Sequence, residues 1–260
     1  PEAPTSFRAS RRKVTVTKLG FSRFSGHRGR VQHHRPRRDR GTHREPRCCL
    51  GNNLKDRSAG TVIRYNRIEN GNRQLDLVDS DTLRPLPLYS NTFVFGNLLI
   101  ESTNDGNRQI VHYGGDSGIT AQYRKGRLHF FNSTVVSKRS DRTTLFRLSS
   151  NEEQADCTGN ILYVTLAGNT LAMLDETGQL GLRDNWTKPG WVGSHGAVSG
   201  TITDLGGNIT GAAPGFLDEP ADNYRLAEGT PFSTASSTPT PTFAPPTAQG
   251  RGDAGRTREW

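Results

Sequence analysis

The chain is short of cysteine and has no long apolar run. Its three cysteines are Cys48, Cys49 and Cys157, and none has zinc-ligand spacing. No stretch is apolar for long enough to span a bilayer, and no signal-peptide core is visible. GxGxxG, P-loop, HExxH and GxSxG patterns are all missing, which removes the nucleotide, zinc-protease and serine-hydrolase readings. The net charge of +9 is not spread evenly. Residues 59–230 carry 15 Lys+Arg against 19 Asp+Glu, whereas residues 1–58 carry 16 against 4. The basic balance belongs to one end, so it does not make the whole chain a nucleic-acid binder.

What is present is a recurring sentence. Asn66, Asn97, Asn160 and Asn185 each stand three residues after an apolar side chain (Ile63, Val94, Cys157, Leu182). Ser133, three after Phe130, fills the one missing step. Two residues later come Ile68, Leu99, Val135, Leu162 and Thr187. The steps are 31, 36, 27 and 25 residues, irregular in the way of a coil with variable loops. An inward Asn suits the bend between two strands because its amide bonds neighbouring backbone and because Asn tolerates left-handed geometry. The column predicts an all-β chain, a parallel β-helix of about five coils. Cys157, in the inward apolar position, reads as a packing residue. Asn132, Asn185 and Asn208 open formal glycosylation sequons, which carry little weight with Asn185 in the inward column.

A second repeat pairs GNRQLDLVDS (71–80) with GNRQIVHYGG (106–115). Its offset of 35 residues predicts that Arg73 stacks on Arg108. Two stacked guanidiniums need neutralising carboxylates, for which Asp76, Asp79, Asp105 and Asp116 are available, or an anionic ligand gripped bidentately. His112 and Arg147 share the third position of LDLVD, IVHYG and LFRLS, beside Leu77 and Met173. Arg142 stands outside these columns, in a loop-like stretch. Asp76 and Asp79, three apart on one strand, are expected on opposite faces.

The two ends lack a core pattern. Residues 1–50 show neither a helical nor a strand period. They read as an out-of-frame segment, a disordered basic arm for polyanions, or a folded element. If periodic chain begins at about Gly51, its first rung would be an open edge. Residues 207–232 read as a capping and exit segment. Residues 233–260 form a Ser/Thr/Pro- and then Gly/Arg-rich tail, in which Arg251-Gly252-Asp253 is a chance match to an adhesion tripeptide.

Over residues 51–232, NNLKDRSAGTVIRYNRIENGNRQLDLVDS, NRQIVHYGGDSG, YRKGRLHFFNSTVV and APGFLDEPADNYRLAEGTP resemble the bacterial right-handed parallel β-helix proteins of the pectin-lyase-like superfamily. The resemblance implies a secreted or cell-surface, monomeric protein directed at an acidic polysaccharide, with no nucleic-acid partner. Leu54-Lys55-Asp56-Arg57-Ser58 is similar in position to the Lys-Ser stretch of alginate-lyase and chondroitinase B-like lyases. By that similarity Lys55 or Arg57 is the base and Arg73 the acid of a β-elimination, with calcium neutralising the uronate carboxylate. The Glu-x-Glu motif expected before the Lys is absent. Arg108, His112, Arg147 and Asp116 are the expected substrate-binding residues. The alternative is a non-catalytic β-helix serving as a surface binding or adhesion module.

Overall fold

Short runs of alternating burial make the strands. Asn91–Phe95, Arg127–Phe131 and Gln154–Thr158 each bury every second side chain, as period-two strands with one face on a core must. The computed structural model describes residues 16–18, 51–103, 106–230 and 232. Within them the strands stack into three walls of a single-stranded parallel β-helix. Wall one holds Thr61–Arg64, Asn91–Phe95, Arg127–Phe131, Gln154–Thr158, Gln179–Arg183 and Thr201–Asp204. Wall two holds Arg67–Glu69, Leu98–Glu101, Thr134–Ser137, Ile161–Val164, Trp186–Thr187 and Ile209–Thr210. Wall three holds Leu54–Asp56, Leu75–Leu77, Gln109–Tyr113, Arg142–Leu148 and Thr170–Leu174.

The expected columns are present. Ile63, Val94, Phe130, Cys157 and Leu182 pair rung to rung and are buried. Ile68, Leu99, Val135, Leu162 and Thr187 do the same on wall two. A sixth rung follows the expected five, for Thr187 continues to Thr210 and Asn185 to Asn208. Residues 207–210, expected in the exit segment, therefore still belong to the coil.

The Asn column is a ladder of amides. Asn66 N–H donates to Asn97 Oδ1 at 3.0 Å, and Asn160 N–H to Asn185 Oδ1 at 3.0 Å. Asn160 Nδ2 in turn donates to the Phe130 and Thr158 carbonyls at 3.0 and 3.1 Å. Ser133 keeps part of the pattern, accepting from Asn97 N–H at 3.2 Å and donating its own N–H to Asn160 Oδ1 at 2.9 Å. Each side chain thus satisfies turn groups that burial would otherwise leave unpaired.

The left-handed residue is not the Asn itself but its predecessor. Tyr65, Gly96, Asn132, Gly159, Asp184 and Gly207 all have φ between 49° and 71°. The bend needs one such residue per rung, and half of the rungs supply glycine for it. At Gly96 a Cβ would lie 2.6 Å from the Tyr65 ring, so crowding there reinforces the conformational preference.

The exit segment becomes a small antiparallel hairpin, Phe216–Asp218 with Asn223–Leu226. It lies against the outer face of wall two, where Tyr224 and Phe232 bury themselves among Ile100, Val136, Ile161, Tyr163 and Trp186. At the opposite end Val16–Lys18 pairs antiparallel with Thr61–Arg64, so the first rung of wall one is not the open edge expected. The rest of residues 1–50, with Cys48 and Cys49, and residues 233–260 lie outside the described residues.

Candidate functional site

Most of the expected site residues fall on or beside wall three, and its register decides which groups meet. Leu75 pairs with Val111 and Leu77 with Tyr113, an offset one residue longer than the GNRQ repeat suggests. Arg73 therefore meets Gln109, not Arg108, and its guanidinium donates to Gln109 Oε1 at 2.7 and 3.2 Å. The expected Arg73–Arg108 stack does not form. Arg108 is exposed and pairs with Asp141 at 2.9 Å. A one-residue slip exchanges inward and outward side chains, and here it replaces Leu77 by Asp76 in the column shared by His112 and Arg147. Met173 is buried in the core.

The outward column runs Lys55, Asp76, His112, Arg147 on four successive rungs. Asp76 is its hub. It accepts from Asn52 Nδ2 at 2.6 Å and lies 2.8 Å from His112 Nδ1, 3.1 Å from Lys55 Nζ and 3.9 Å from the Arg73 guanidinium. Burial pushes its carboxyl up, but the His112 hydrogen bond and the Lys55 ammonium outweigh this and hold it below the usual carboxylate range.

A second knot closes the lower end. Asp116 bridges the Lys55 ammonium and Arg57, the latter at 2.6 Å, while Arg57 also meets Asp79 at 3.1 Å. Burial raises the Asp116 carboxyl, yet its bonds to Lys55 and Arg57 bring it down to about 2. For Lys55, desolvation is opposed by Asp116 and Asp76, and the ammonium ends above its ordinary value. Asp76 and Asp79 serve the same cluster through Lys55 and Arg57, contrary to the expectation of opposite faces, because the strand ends at Leu77. Cys157 is buried, and burial pushes its thiol well up, in keeping with a packing role.

Calcium fits this knot poorly. Asp76, Asp79 and Asp116 are each spent on Lys55 or Arg57, and a divalent ion would have to displace those cations. Among the described residues no group of three or more His, Cys, Asp or Glu could hold a metal ion.

Beyond Arg147 the face opens into a cleft of about 760 Å³, adjoined by a second of about 420 Å³. The larger is lined by Arg108, Arg139, Arg142, Gln109, Asp175 and His195. Arg139 donates to Asp141 at 3.0 Å and to Glu101 at 3.4 Å. Burial first, then the bonds to Arg139 and Arg142, set the Asp141 carboxyl, which ends at about 2. Gln109 Nε2 reaches Asp175 at 2.7 Å, tying the cleft to the Arg73 side of the wall. Arg142 was not expected here. It opens the strand Arg142–Leu148 and lines both clefts, so it is part of the face and not of a loop. Arg139, Arg142 and His195 carry no repeat signal, since they lie outside the matched segments.

Fold and face together define a parallel β-helix with a polar, cleft-bearing third wall. No protein-family model matches the chain, and neither a curated protein nor a solved structure matches it. Among the described residues no helix is long and apolar enough to cross a membrane.

Proposed function

We propose that the protein is a carbohydrate-directed β-helix of the pectin-lyase-like type, acting outside the cell or at its surface on an acidic, uronate-containing polysaccharide. The observation that carries this reading is the cleft beside wall three, whose lining brings Arg108, Arg139 and Arg142 together with His195 and Gln109. Guanidinium forks match carboxylates bidentately, and an open cleft on the side of a solenoid can take an extended polymer. In the lyase form, a base takes the proton from C5 while cations stabilise the developing enolate. Lys55, Arg57 and Arg73 are the candidates for these roles, with Arg108, His112, Arg147 and Asp116 as binding residues.

A non-catalytic surface-binding module is the second reading, and one observation favours it. Lys55 is held between two carboxylates with its ammonium stabilised, whereas a base must be free of its proton. Incubation with alginate, pectate and chondroitin, followed at the absorbance of unsaturated uronate, separates the two. Product lost in Lys55→Ala supports the lyase; binding without product supports the module. In either case Arg142→Ala and Arg108→Ala should each weaken binding several-fold, and added salt should weaken it further. Equal affinity for neutral glucans would remove the carbohydrate-charge reading.

A further inference from the structure

Three successive rungs of wall three place a carboxylate, an imidazole and a hydroxyl in line. Asp76 Oδ1 lies 2.8 Å from His112 Nδ1, and His112 Nε2 lies 2.9 Å from Ser149 Oγ. Asp76 and His112 face each other across the register, and His112 faces Arg147, two residues before Ser149. The ionised Asp76 carboxylate only accepts hydrogen bonds, so it fixes the proton of a neutral imidazole on Nδ1. Nε2 is then an acceptor, and the hydroxyl of Ser149 is the donor that meets it. Gly115 N–H donates to Ser149 Oγ at 2.9 Å and holds the oxygen in place, while the Gly115 carbonyl at 3.1 Å and the Tyr113 carbonyl at 3.5 Å are competing acceptors. Ser149 follows the last residue of its strand and is only partly buried, whereas Asp76 and His112 are each 2% exposed. A buried base oriented by a carboxylate, with its nucleophile on the accessible side, is the logic of a nucleophilic triad, which is recognised by geometry and not by chain order.

We propose that Ser149, His112 and Asp76 form a nucleophilic triad that cleaves carboxylic esters, with Ser149 as nucleophile, His112 as general base and Asp76 as its positioning residue. His112 Nε2 takes the Ser149 proton as Oγ bonds the ester carbonyl carbon, and the carbonyl electron pair moves onto its oxygen. Collapse expels the alkoxide, which leaves as the alcohol with the proton from His112. Water then attacks the acyl-serine by the same route, releasing the carboxylic acid and restoring Ser149. Arg147, which pairs with His112 in the outward column and stands two residues before Ser149, is the cation assigned to the developing negative charge. The missing GxSxG pattern excludes only a strand–turn–helix elbow; a triad assembled across three rungs leaves no local motif.

The proposal stands apart from the polysaccharide reading and is tested without a sugar. The full chain is treated with a fluorophosphonate probe and, separately, with p-nitrophenyl acetate. One phosphonyl adduct mapped to Ser149 is expected, together with a loss of at least about 100-fold in ester hydrolysis in Ser149→Ala and in His112→Ala. Ser199→Ala, at an exposed position outside the strands, should keep both signals. Should the Ser149→Ala chain fail to fold, adduct mapping on the unaltered chain decides alone. No adduct, an adduct elsewhere, or labelling of Ser149 that survives loss of His112 would overturn the proposal.

Discussion

Two ladders run along this coil, and they obey opposite rules. At the bend between walls one and two, one chemical group repeats: Asn66, Asn97, Asn160, Asn185 and Asn208, with Ser133 as the substitute. On wall three no group repeats, and the column runs ammonium, carboxylate, imidazole, guanidinium. The cause is the stacking distance of about 4.8 Å between rungs. An amide is donor and acceptor at once, so identical copies satisfy each other. A charge is not, and identical copies at that distance repel. A solenoid can therefore repeat its structural ladder but must vary its charged one. Variation is also what lets a wall become a site.

Breaking the amide ladder should have the largest effect. Asn160→Leu orphans the Phe130 and Thr158 carbonyls and the Ser133 N–H. It should cost about 1–3 kcal/mol for each buried group left unpaired, seen as a lower denaturant midpoint with an unchanged slope. A midpoint within error of the original would mean that the ladder is decorative. The charge ladder should respond to acid in place of substitution. Asp76 and Asp116 have folded pKa values below their unfolded ones, Asp116 at about 2. Their contribution is fully present above the unfolded value of about 3.9 and is lost as pH falls through the folded one. Stability should decline between about pH 4 and pH 2, and Asp116→Asn should flatten that decline. The smallest effect should come from completing the amide column. Ser133→Asn adds a side chain able to bond both neighbours, and should raise stability by about 0.5–1 kcal/mol. A destabilised Ser133→Asn would show that the shorter side chain is required beside Phe131.

The contrast also explains what could be read from the chain alone. Five rungs, their apolar columns and the inward Asn were legible because like stacks on like. The sixth rung carries the same spacing, with Leu205 three before Asn208 and Thr210 two after, but in the coil Asp204 and not Leu205 pairs with Leu182. The left-handed position was hidden: Tyr65, Asn132 and Asp184 occupy it as well as glycine. On wall three the identity of GNRQ with GNRQ misled by one residue. The stacking follows where Leu75 and Val111 enter the core, and burial outweighs local similarity. Lys55, Arg57, Arg73, His112, Arg147 and Asp116 do gather about that wall, but Asp76, which meets Lys55, Arg73 and His112, was expected only as one of several carboxylates beside stacked arginines. Arg139 and Arg142 had no repeat to announce them, while Arg108 of GNRQ and Ser149, the last residue of LFRLS, stood in repeats that did not reveal their neighbours.

The strand Val16–Lys18 has a directional consequence. Every other described strand of wall one runs the same way, so among the described residues Thr201–Asp204 is an edge strand that a further parallel rung could extend. At the other end the antiparallel strand reverses the sense of the ladder. Head-to-tail contacts that do not close generate filaments, and such growth needs matching edges at both ends. Wall one has a growing end and a terminated one. In the vocabulary of polymer chemistry the molecule carries its own chain stopper, and two copies cannot continue one another's first wall in unbroken parallel register.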